Sequence, residues 1–188
     1  MNLPFLVVGL PRSRTAWLAK FLTIGGRVCR HEPSLRWTGP DDFDRWLAGD
    51  KGASDSMMTF LAHETHRRRP DIPIVTIRRP RHEVMASLNR LPYKKEEWLP
   101  WWLEKMDARL DRIEDELGCP SIPFDQLDSL VVITGLFNYC LGVRGMPLAW
   151  FEKMRKENVQ ADIAETKRLI EANRPGWTAV YKGHTEDA

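Results

Sequence analysis

Residues 5 to 22 change from a continuous apolar run to helical spacing, and the change falls on residues 11 to 15. The apolar run predicts a buried strand over residues 5 to 9, and the apolar spacing after the turn predicts a helix over residues 13 to 24. A helix that begins at a turn directs its unpaired N–H groups and the positive end of its dipole toward that turn. The segment therefore predicts a strand, loop and helix with an anion site above the loop.

The loop lacks the residues of an ordinary nucleotide-triphosphate loop, which has Gly, four residues, Gly-Lys and then Ser or Thr. Counted from Gly9, Arg14 stands at the second glycine and Thr15 at the lysine, so we expect neither the tight turn nor the lysine. Arg12 supplies a cation instead, and its guanidinium can hold two oxygens of a phosphate or sulfonate. The alternative is a solvated turn capped by Ser13.

Residues 74 to 88 form a second segment in which a β-branched strand leads through a proline turn into a helix. The predicted strand over residues 73 to 78 ends at Arg78 and Arg79, and Ser87 falls inside the predicted helix over residues 82 to 90. A kinase or ATPase usually has an Asp at such a strand end to hold magnesium. The basic residues here argue against that class, although they could also be solvated charges.

The motif Gly9-Leu-Pro-Arg-Ser-Arg-Thr15, followed by the Arg78 to Ser87 segment, resembles the donor site of sulfotransferases that use 3′-phosphoadenosine 5′-phosphosulfate. The likeness is to the arginine-bearing branch of tyrosylprotein, carbohydrate and bacterial enzymes. The resemblance implies a three-layer α/β domain, a parallel sheet flanked by helices in a P-loop NTPase-like arrangement. It implies no metal, since the sulfuryl group carries less charge than a phosphoryl dianion and fixed cations and N–H donors can stabilise it. The donor-binding residues that it implies are Pro11, Arg12, Ser13, Arg14, Thr15 and Ala16 at the 5′-phosphosulfate, and Arg78 or Arg79 with Ser87 at the 3′-phosphate.

The predicted second strand, near residues 27 to 30, leads into His31, Glu32 and Pro33. Parallel sheets bind ligands beyond the carboxyl ends of their strands, so we expect these residues beside the loop. The resemblance implies Glu32 as the catalytic base, because the tyrosylprotein branch has a glutamate just after this strand, with His31 as the alternative. It also implies that Arg12 holds the leaving phosphate. Glu32 could instead cap a turn or pair with Arg36, and neighbours on extended backbone point apart, so we expect only one of His31 and Glu32 to face the donor.

The chain of 188 residues suits a single domain, with a donor-binding half at residues 5 to 92 and a mainly helical half at residues 93 to 188. Further helices are predicted at residues 41 to 48, 57 to 68, 95 to 117 and 129 to 141. The resemblance to sulfotransferases implies a short strand and turn at residues 121 to 127. Tyr181-Lys-Gly183 is weakly similar to a phosphate-binding triplet of cytosolic members, and we do not assign Lys182 to the site. The apolar stripe predicted for the helix at 95 to 117 comprises Trp98, Trp101, Trp102, Met106, Leu110, Ile113 and Leu117.

Composition limits the partners. The 28 basic and 26 acidic residues leave a net charge of +2, which argues against a general nucleic-acid binder.

Three widely spaced cysteines without zinc-ligand spacing indicate reduced thiols. The N-terminal apolar run is too short to span a membrane and lacks a basic leader, so we expect a cytoplasmic protein that does not bind a membrane. The oligomeric state is left open.

The predicted function is therefore transfer of a sulfuryl group from 3′-phosphoadenosine 5′-phosphosulfate to a hydroxyl or amine, which leaves 3′-phosphoadenosine 5′-phosphate as product. The acceptor is a sugar, a phenol or a protein side chain, and some of the eight tryptophans, such as Trp37 and Trp46, either line its pocket or belong to the core. Two alternatives stay open. One is a non-catalytic nucleotide-binding protein that kept the fold, and the other is a small P-loop-type kinase with an altered loop.

Overall fold

The computed structural model describes residues 3–90 and 97–159. In that part of the chain, five strands form one sheet in the order β2-β3-β1-β4-β5, and every neighbouring pair is parallel. The predicted α/β class with a parallel sheet is confirmed. Because the strands are parallel, their carboxyl ends meet at one edge. The strands are β1 (Leu6–Gly9), β2 (Cys29–His31), β3 (Gly52–Ser54), β4 (Ile74–Arg78) and β5 (Ser121–Pro123).

Helices connect the strands and follow the last one, and they agree with most of the predicted positions. The predicted helix over 57 to 68 begins as a 3₁₀ turn, and the one over 13 to 24 is shorter than expected. The α-helices are α1 (Thr15–Phe21), α2 (Pro40–Leu47), α3 (Ala62–Arg68), α4 (Arg81–Leu88), α5 (Leu99–Leu117), α6 (Leu130–Leu141) and α7 (Leu148–Arg155). The 3₁₀ turns are Pro33–Arg36, Met57–Leu61 and Phe124–Asp128.

The core lies on both faces of the sheet because side chains of β1 alternate between them. Val7 packs in a cluster with residues of α1, α6 and α7, whereas Leu6 and Val8 pack in a second cluster with residues of α2, α3, α4 and α5. All three side chains are fully buried. Helices therefore cover both faces of the sheet, as expected for a strand that is apolar at every position.

β3 is the strand that the sequence did not predict. It consists of Gly52, Ala53 and Ser54, which have no β-branched or large apolar side chain. Glycine is required at position 52, because a Cβ there would lie 2.1 Å from Cζ of the buried Phe5 ring. β3 lies between β1 and β2, so the residues that follow β3 lie at the same edge of the sheet as those that follow β1 and β2.

Helix α5 ends at Gly118, which has φ 60, as predicted. Its buried face consists of Leu103, Met106, Leu110 and Ile113. The prediction that Trp101 belongs to this face was wrong, since Trp101 is 56% exposed. Two residues along a helix correspond to about 200°, so Trp101 lies nearly opposite Leu103.

Several predictions concern residues outside the described ranges. These are the start of the helix at 95 to 117 and the triplet with Lys182. Within the described ranges, no helix combines the length and apolar character needed to cross a bilayer. Cys29, Cys119 and Cys140 are free thiols, in agreement with the prediction.

Candidate functional site

The loop between β1 and α1 turns through two left-handed residues. Arg12 has φ 66 and Arg14 has φ 61, which is a conformation that side-chain-bearing residues adopt rarely. The expectation that Arg14 removes the tight turn was therefore wrong, since Arg14 takes the glycine-like conformation itself. Gly9 has a different role, because a Cβ there would lie 2.8 Å from the carbonyl oxygen of Ile77. The loop thus starts at a point where β1 and β4 approach closely.

Contacts outside the loop hold the Arg14 side chain. Its guanidinium donates to both carboxylate oxygens of Asp128, at 2.8 and 3.3 Å. It also lies 5.4 Å from the ring centre of Phe124 and 5.9 Å from that of Trp17. Asp128 is more than half exposed, so the ion pair adds little stability. The contacts direct Arg14 toward the turn after β5, so its guanidinium does not crowd the loop.

Arg12, Ser87 and Arg79, which come from the two predicted phosphate motifs, meet at one point. Nε of Arg12 donates to Oγ of Ser87 at 3.1 Å, and Nη1 of Arg79 donates to the carbonyl oxygen of Arg12. Arg79 also lies 4.1 Å above the ring centre of Phe124, and its Nε is 3.3 Å from the carboxylate of Glu83. The pairing of β1 with β4 explains why segments distant in sequence come together.

Arg78 lies away from this point. Its guanidinium faces α5, where it is 2.5 Å from Asp111, 3.2 Å from Asp107 and 3.7 Å from Glu114. Successive residues at the end of a strand point to opposite sides, so Arg78 and Arg79 separate. Of the two arginines that the sequence left open, Arg79 is the one beside the loop.

His31 lies beside the loop, as predicted for the end of the second strand. Its Nε2 is 3.2 Å from Oγ1 of Thr15, the first residue of α1. Burial, together with the positive charge of Arg36, lowers the pKa of His31 to about 4. The imidazole is therefore neutral at neutral pH and shares one hydrogen bond with Thr15.

Glu32 lies next to His31 instead of pointing away from it. The strand ends at His31 and Glu32 has φ 46, so the backbone is not extended at this position. As a result, Oε1 of Glu32 is 3.8 Å from Nε2 of His31. The assumption of extended backbone was wrong, whereas the expectation that only one of the two residues faces the donor stays a prediction. With His31 neutral, the contact is polar and not an ion pair.

The Glu32 carboxylate accepts hydrogen bonds from Ser56, at 2.8 Å from the hydroxyl and 3.4 Å from the backbone N–H. Burial and the neighbouring carboxylate of Asp55 raise the pKa of Glu32 to about 7, although the bonds from Ser56 oppose the rise. Glu32 is therefore a carboxyl group that exchanges its proton near neutral pH. The proposed alternative of pairing with Arg36 gives way to this contact with Ser56.

Asp55 is the second carboxylate of the site, and it is fully buried. Burial raises the pKa of Asp55, while the Ser34 side chain and, to a smaller extent, three backbone N–H groups that bond to Asp55 lower it. These donors belong to Ser34 at 2.9 Å, Met57 at 2.8 Å and Met58 at 3.1 Å. Asp55 accepts more hydrogen bonds than Glu32, so the negative charge of the pair is stabilised more at Asp55. As the pH falls, Glu32 is therefore protonated before Asp55.

Sequence reasoning missed Asp55 and Ser56 because it missed the strand before them. The signal in the sequence is the polar run Ser54-Asp-Ser56, which follows a segment without an apolar pattern. A polar run of this kind is common in loops, so it could not be recognised without β3.

The other predicted donor-binding residues differ in how deeply their side chains are buried. Pro11 and Ala16 are half-buried at the loop, whereas Thr15 is buried. Ser13 is fully buried, and its hydroxyl has no hydrogen-bond partner among the described residues. A ligand would reach Ser13 only after a change in the loop, so in this conformation Arg12 is the side chain that the loop offers.

The order of the strands separates two kinds of groups along the carboxyl edge. Arg12, Arg79 and Ser87 lie on the β4 side of the central strand β1, whereas Glu32 and Asp55 follow β2 and β3 on its other side. An anion is favoured on the first side and a proton acceptor on the second. Within the described ranges, no group of three or more His, Cys, Asp or Glu residues is placed to hold a metal ion.

Comparison with protein-family models and with curated proteins found no match to this chain. The chemistry of the site is therefore inferred from its own residues.

Proposed function

We propose that the chain is a sulfotransferase that moves a sulfuryl group from 3′-phosphoadenosine 5′-phosphosulfate to a hydroxyl or amine acceptor. The observation that carries the proposal is the meeting of Arg12, Ser87 and Arg79 beside the loop. This donor carries two separate phosphate groups, and the two segments offer a guanidinium each. The proposal includes a P-loop-like sulfotransferase fold and a cytoplasmic location, which three free thiols support.

On the donor side, Arg12 would bind the 5′-phosphosulfate, and Arg79 with Ser87 would bind the 3′-phosphate. A guanidinium can donate two parallel hydrogen bonds to such a group, and it keeps its charge at any working pH. Among the described residues, Arg79 pairs with the carboxylate of Glu83 at 3.3 Å, and the Glu83 side chain is 44% exposed. A pair this exposed is weak, so an incoming phosphate can displace it.

On the acceptor side, Glu32 would take the proton from the acceptor hydroxyl or amine. A general base is most effective when its pKa lies near the working pH, and Glu32 meets this condition with a pKa of about 7. His31, with a pKa of about 4, is a much weaker base. Ser56 fixes the direction of the Glu32 carboxylate through its hydroxyl.

These roles give a balanced transfer step. The acceptor oxygen or nitrogen forms a bond to sulfur while its proton passes to Glu32, and the bond between sulfur and the bridging phosphate oxygen breaks. The electron pair of that bond stays on the leaving phosphate, where Arg12 stabilises the added charge. Positioning supplies the remainder of the rate increase.

Incubation of the purified protein with sulfur-35-labelled donor and a panel of sugars, phenols and tyrosine peptides tests the proposal. We expect label to appear on at least one acceptor, and to be lost when the protein is omitted. Binding of 3′-phosphoadenosine 5′-phosphate without transfer to any acceptor would instead favour a non-catalytic nucleotide-binding protein. Tighter binding of ATP with magnesium would favour a kinase.

Substitution of the two neighbouring arginines distinguishes their roles. We expect Arg79→Gln to weaken binding of 3′-phosphoadenosine 5′-phosphate at least about tenfold, because a charged hydrogen bond contributes about 1.5 to 3 kcal/mol. We expect Arg78→Gln to leave that affinity unchanged. The same substitution should destabilise the fold by about 1 kcal/mol, because it removes the ion pairs of Arg78 with the carboxylates of α5. Ser87→Ala should weaken binding less than Arg79→Gln, since its hydroxyl is uncharged.

Calorimetric titration with 3′-phosphoadenosine 5′-phosphate measures the affinities, and urea unfolding measures the stabilities. Equal affinities for Arg79→Gln and Arg78→Gln would contradict the assignment of the 3′-phosphate to Arg79.

A further inference from the structure

A pocket of about 380 Å³ lies at the outer edge of the sheet, beside strand β2. Its walls come from the end of β2, the turn Pro33–Arg36, helix α2 and the loop that leads to β3. Ligand pockets in proteins begin at roughly 300 Å³. The space therefore suits a small molecule of one or two rings.

The pocket is lined by four basic and two acidic side chains. One of the basic residues, Arg45, is paired with Asp42 at 2.5 Å. Arg30, Arg36 and Lys51 have no carboxylate partner in the described part of the chain, although many of its other surface arginines are paired. Three unpaired cations around one concave space attract an anion, and a concave site strengthens that attraction.

An aromatic wall completes the pocket. Trp37 is half-buried, and its ring centre lies 5.9 Å from that of Phe43 and 6.5 Å from that of Trp46. Phe43 and Trp46 are both buried and stack on each other, so they hold Trp37 in place. An indole fixed in this way offers a flat apolar surface without a further loss of side-chain entropy on binding.

We propose that this pocket binds a small anionic ring compound, which is a sugar or an aromatic ring that carries a carboxylate, sulfate or phosphate. Arg30, Arg36 and Lys51 bind the anionic group, and Trp37 packs against the ring. Neither feature alone defines the ligand, because cations alone would accept any anion and the tryptophan alone would accept any ring. Both features line the same pocket.

The position of the pocket suggests which reactant it holds. Arg30 and Pro33, which line it, flank His31 and Glu32 directly in the chain. Arg36 is close enough to His31 for its charge to act on the imidazole. Neither His31 nor Glu32 lines the pocket itself, so the pocket neighbours the proposed base through the chain, and we assign its ligand as the acceptor of the transfer. This last step rests on the proposed function, whereas binding of the anionic ring compound does not.

Calorimetry with three probes at low salt tests the binding. The probes are a disaccharide that contains glucuronate, 4-hydroxyphenylacetate and the neutral disaccharide cellobiose. We expect at least one anionic probe to bind about tenfold or more tightly than cellobiose, and the anionic probe that binds identifies the ring. We expect the double variant Arg30→Gln/Lys51→Gln to lose about tenfold or more of that affinity.

Arg112→Gln is the matched control, since Arg112 is exposed on α5 and does not line the pocket. Because Arg30 and Lys51 are exposed, the double variant should fold normally, which circular dichroism checks. Equal affinity for all probes, no binding of any probe, or unchanged binding by the double variant would overturn the proposal.

Titration of the same variants with 3′-phosphoadenosine 5′-phosphate distinguishes this pocket from the donor site. We expect the double variant to keep its affinity for this nucleotide and Arg12→Gln to lose it. The reverse result would make the pocket the nucleotide site and would overturn its assignment to the acceptor. If the parent protein binds an anionic probe but not the nucleotide, the proposed function fails while the pocket stands.

Discussion

Replacement of Glu32 by glutamine is expected to lower the turnover of sulfate transfer by about 10²- to 10⁴-fold, the usual contribution of a general base. Glutamine keeps the shape of the side chain and can still accept the bond from the Ser56 hydroxyl. It cannot accept the acceptor's proton. Affinity for 3′-phosphoadenosine 5′-phosphate should change little, because Glu32 lies on the opposite side of β1 from Arg79 and Ser87.

The same substitution is expected to stabilise the fold at and above neutral pH. The pKa of Glu32 rises from 4.5 to about 7 on folding, so the folded state keeps a proton that the unfolded state loses above pH 4.5. The contribution of Glu32 to the free energy of unfolding of the parent protein therefore falls by on the order of 3 kcal/mol as the pH rises from 4.5 to about 7. Glutamine has no proton to lose, so the variant gains that amount relative to the parent across the same range.

Urea unfolding of both proteins at pH 4.5 and pH 8 measures this gain, and initial-rate assays measure the turnover. Glu104→Gln is a matched control, because Glu104 is exposed on α5. A stability difference that does not change with pH would show that Glu32 is not perturbed, and unchanged turnover would remove it as the base.

Replacement of Arg12 by glutamine is expected to weaken binding of 3′-phosphoadenosine 5′-phosphate by at least about tenfold, and to lower transfer further. The additional loss in transfer arises because charge develops on the leaving phosphate only during the reaction. Arg12→Lys should give an intermediate affinity, since lysine keeps the charge but loses the two-pronged geometry.

Calorimetry and initial rates measure these effects, with Arg112→Gln again as the control. Arg12 also donates to Ser87, so urea unfolding should accompany the titrations to show that the variants are folded. An Arg12→Gln protein that binds the nucleotide as tightly as the parent would remove Arg12 from the donor site.

The sequence predicted those parts of the fold that have strong local patterns. β1 and β4 are rich in β-branched and apolar residues, and α6 is an apolar helix that ends at Gly142 in a left-handed conformation. Such segments have the same pattern in any α/β protein, so their identification needs no tertiary information. Their alternation with helices also predicted the parallel sheet.

The structure of β3 depends on a contact that is distant in sequence. The Phe5 ring occupies the space that a side chain at Gly52 would need, so the strand has to begin with glycine. Small residues have no strand pattern, and therefore neither β3 nor its neighbours Asp55 and Ser56 could be predicted. Burial raises the pKa of Glu32 most, Asp55 raises it further and Ser56 lowers it, so this pKa could not be predicted from the sequence either.

The conformations of Arg14 and Glu32 were missed for a related reason. Both residues have positive φ, which local rules reserve for glycine, asparagine and aspartate. The Arg14 side chain contacts Asp128 and Phe124, and the Glu32 side chain accepts a hydrogen bond from Ser56, so each residue with positive φ also has a side-chain partner distant in sequence. Strained residues of this kind are often found at functional sites, where the surrounding structure holds them.

Calorimetric titration of the parent protein with 3′-phosphoadenosine 5′-phosphate and with ATP, each with and without magnesium, decides whether this chain binds a sulfate donor. We expect the first nucleotide to bind without magnesium and at least about tenfold more tightly than ATP, because Arg79 and Ser87 bind a 3′-phosphate that ATP lacks. Binding of ATP in preference, with a requirement for magnesium, would contradict the assignment as a sulfotransferase.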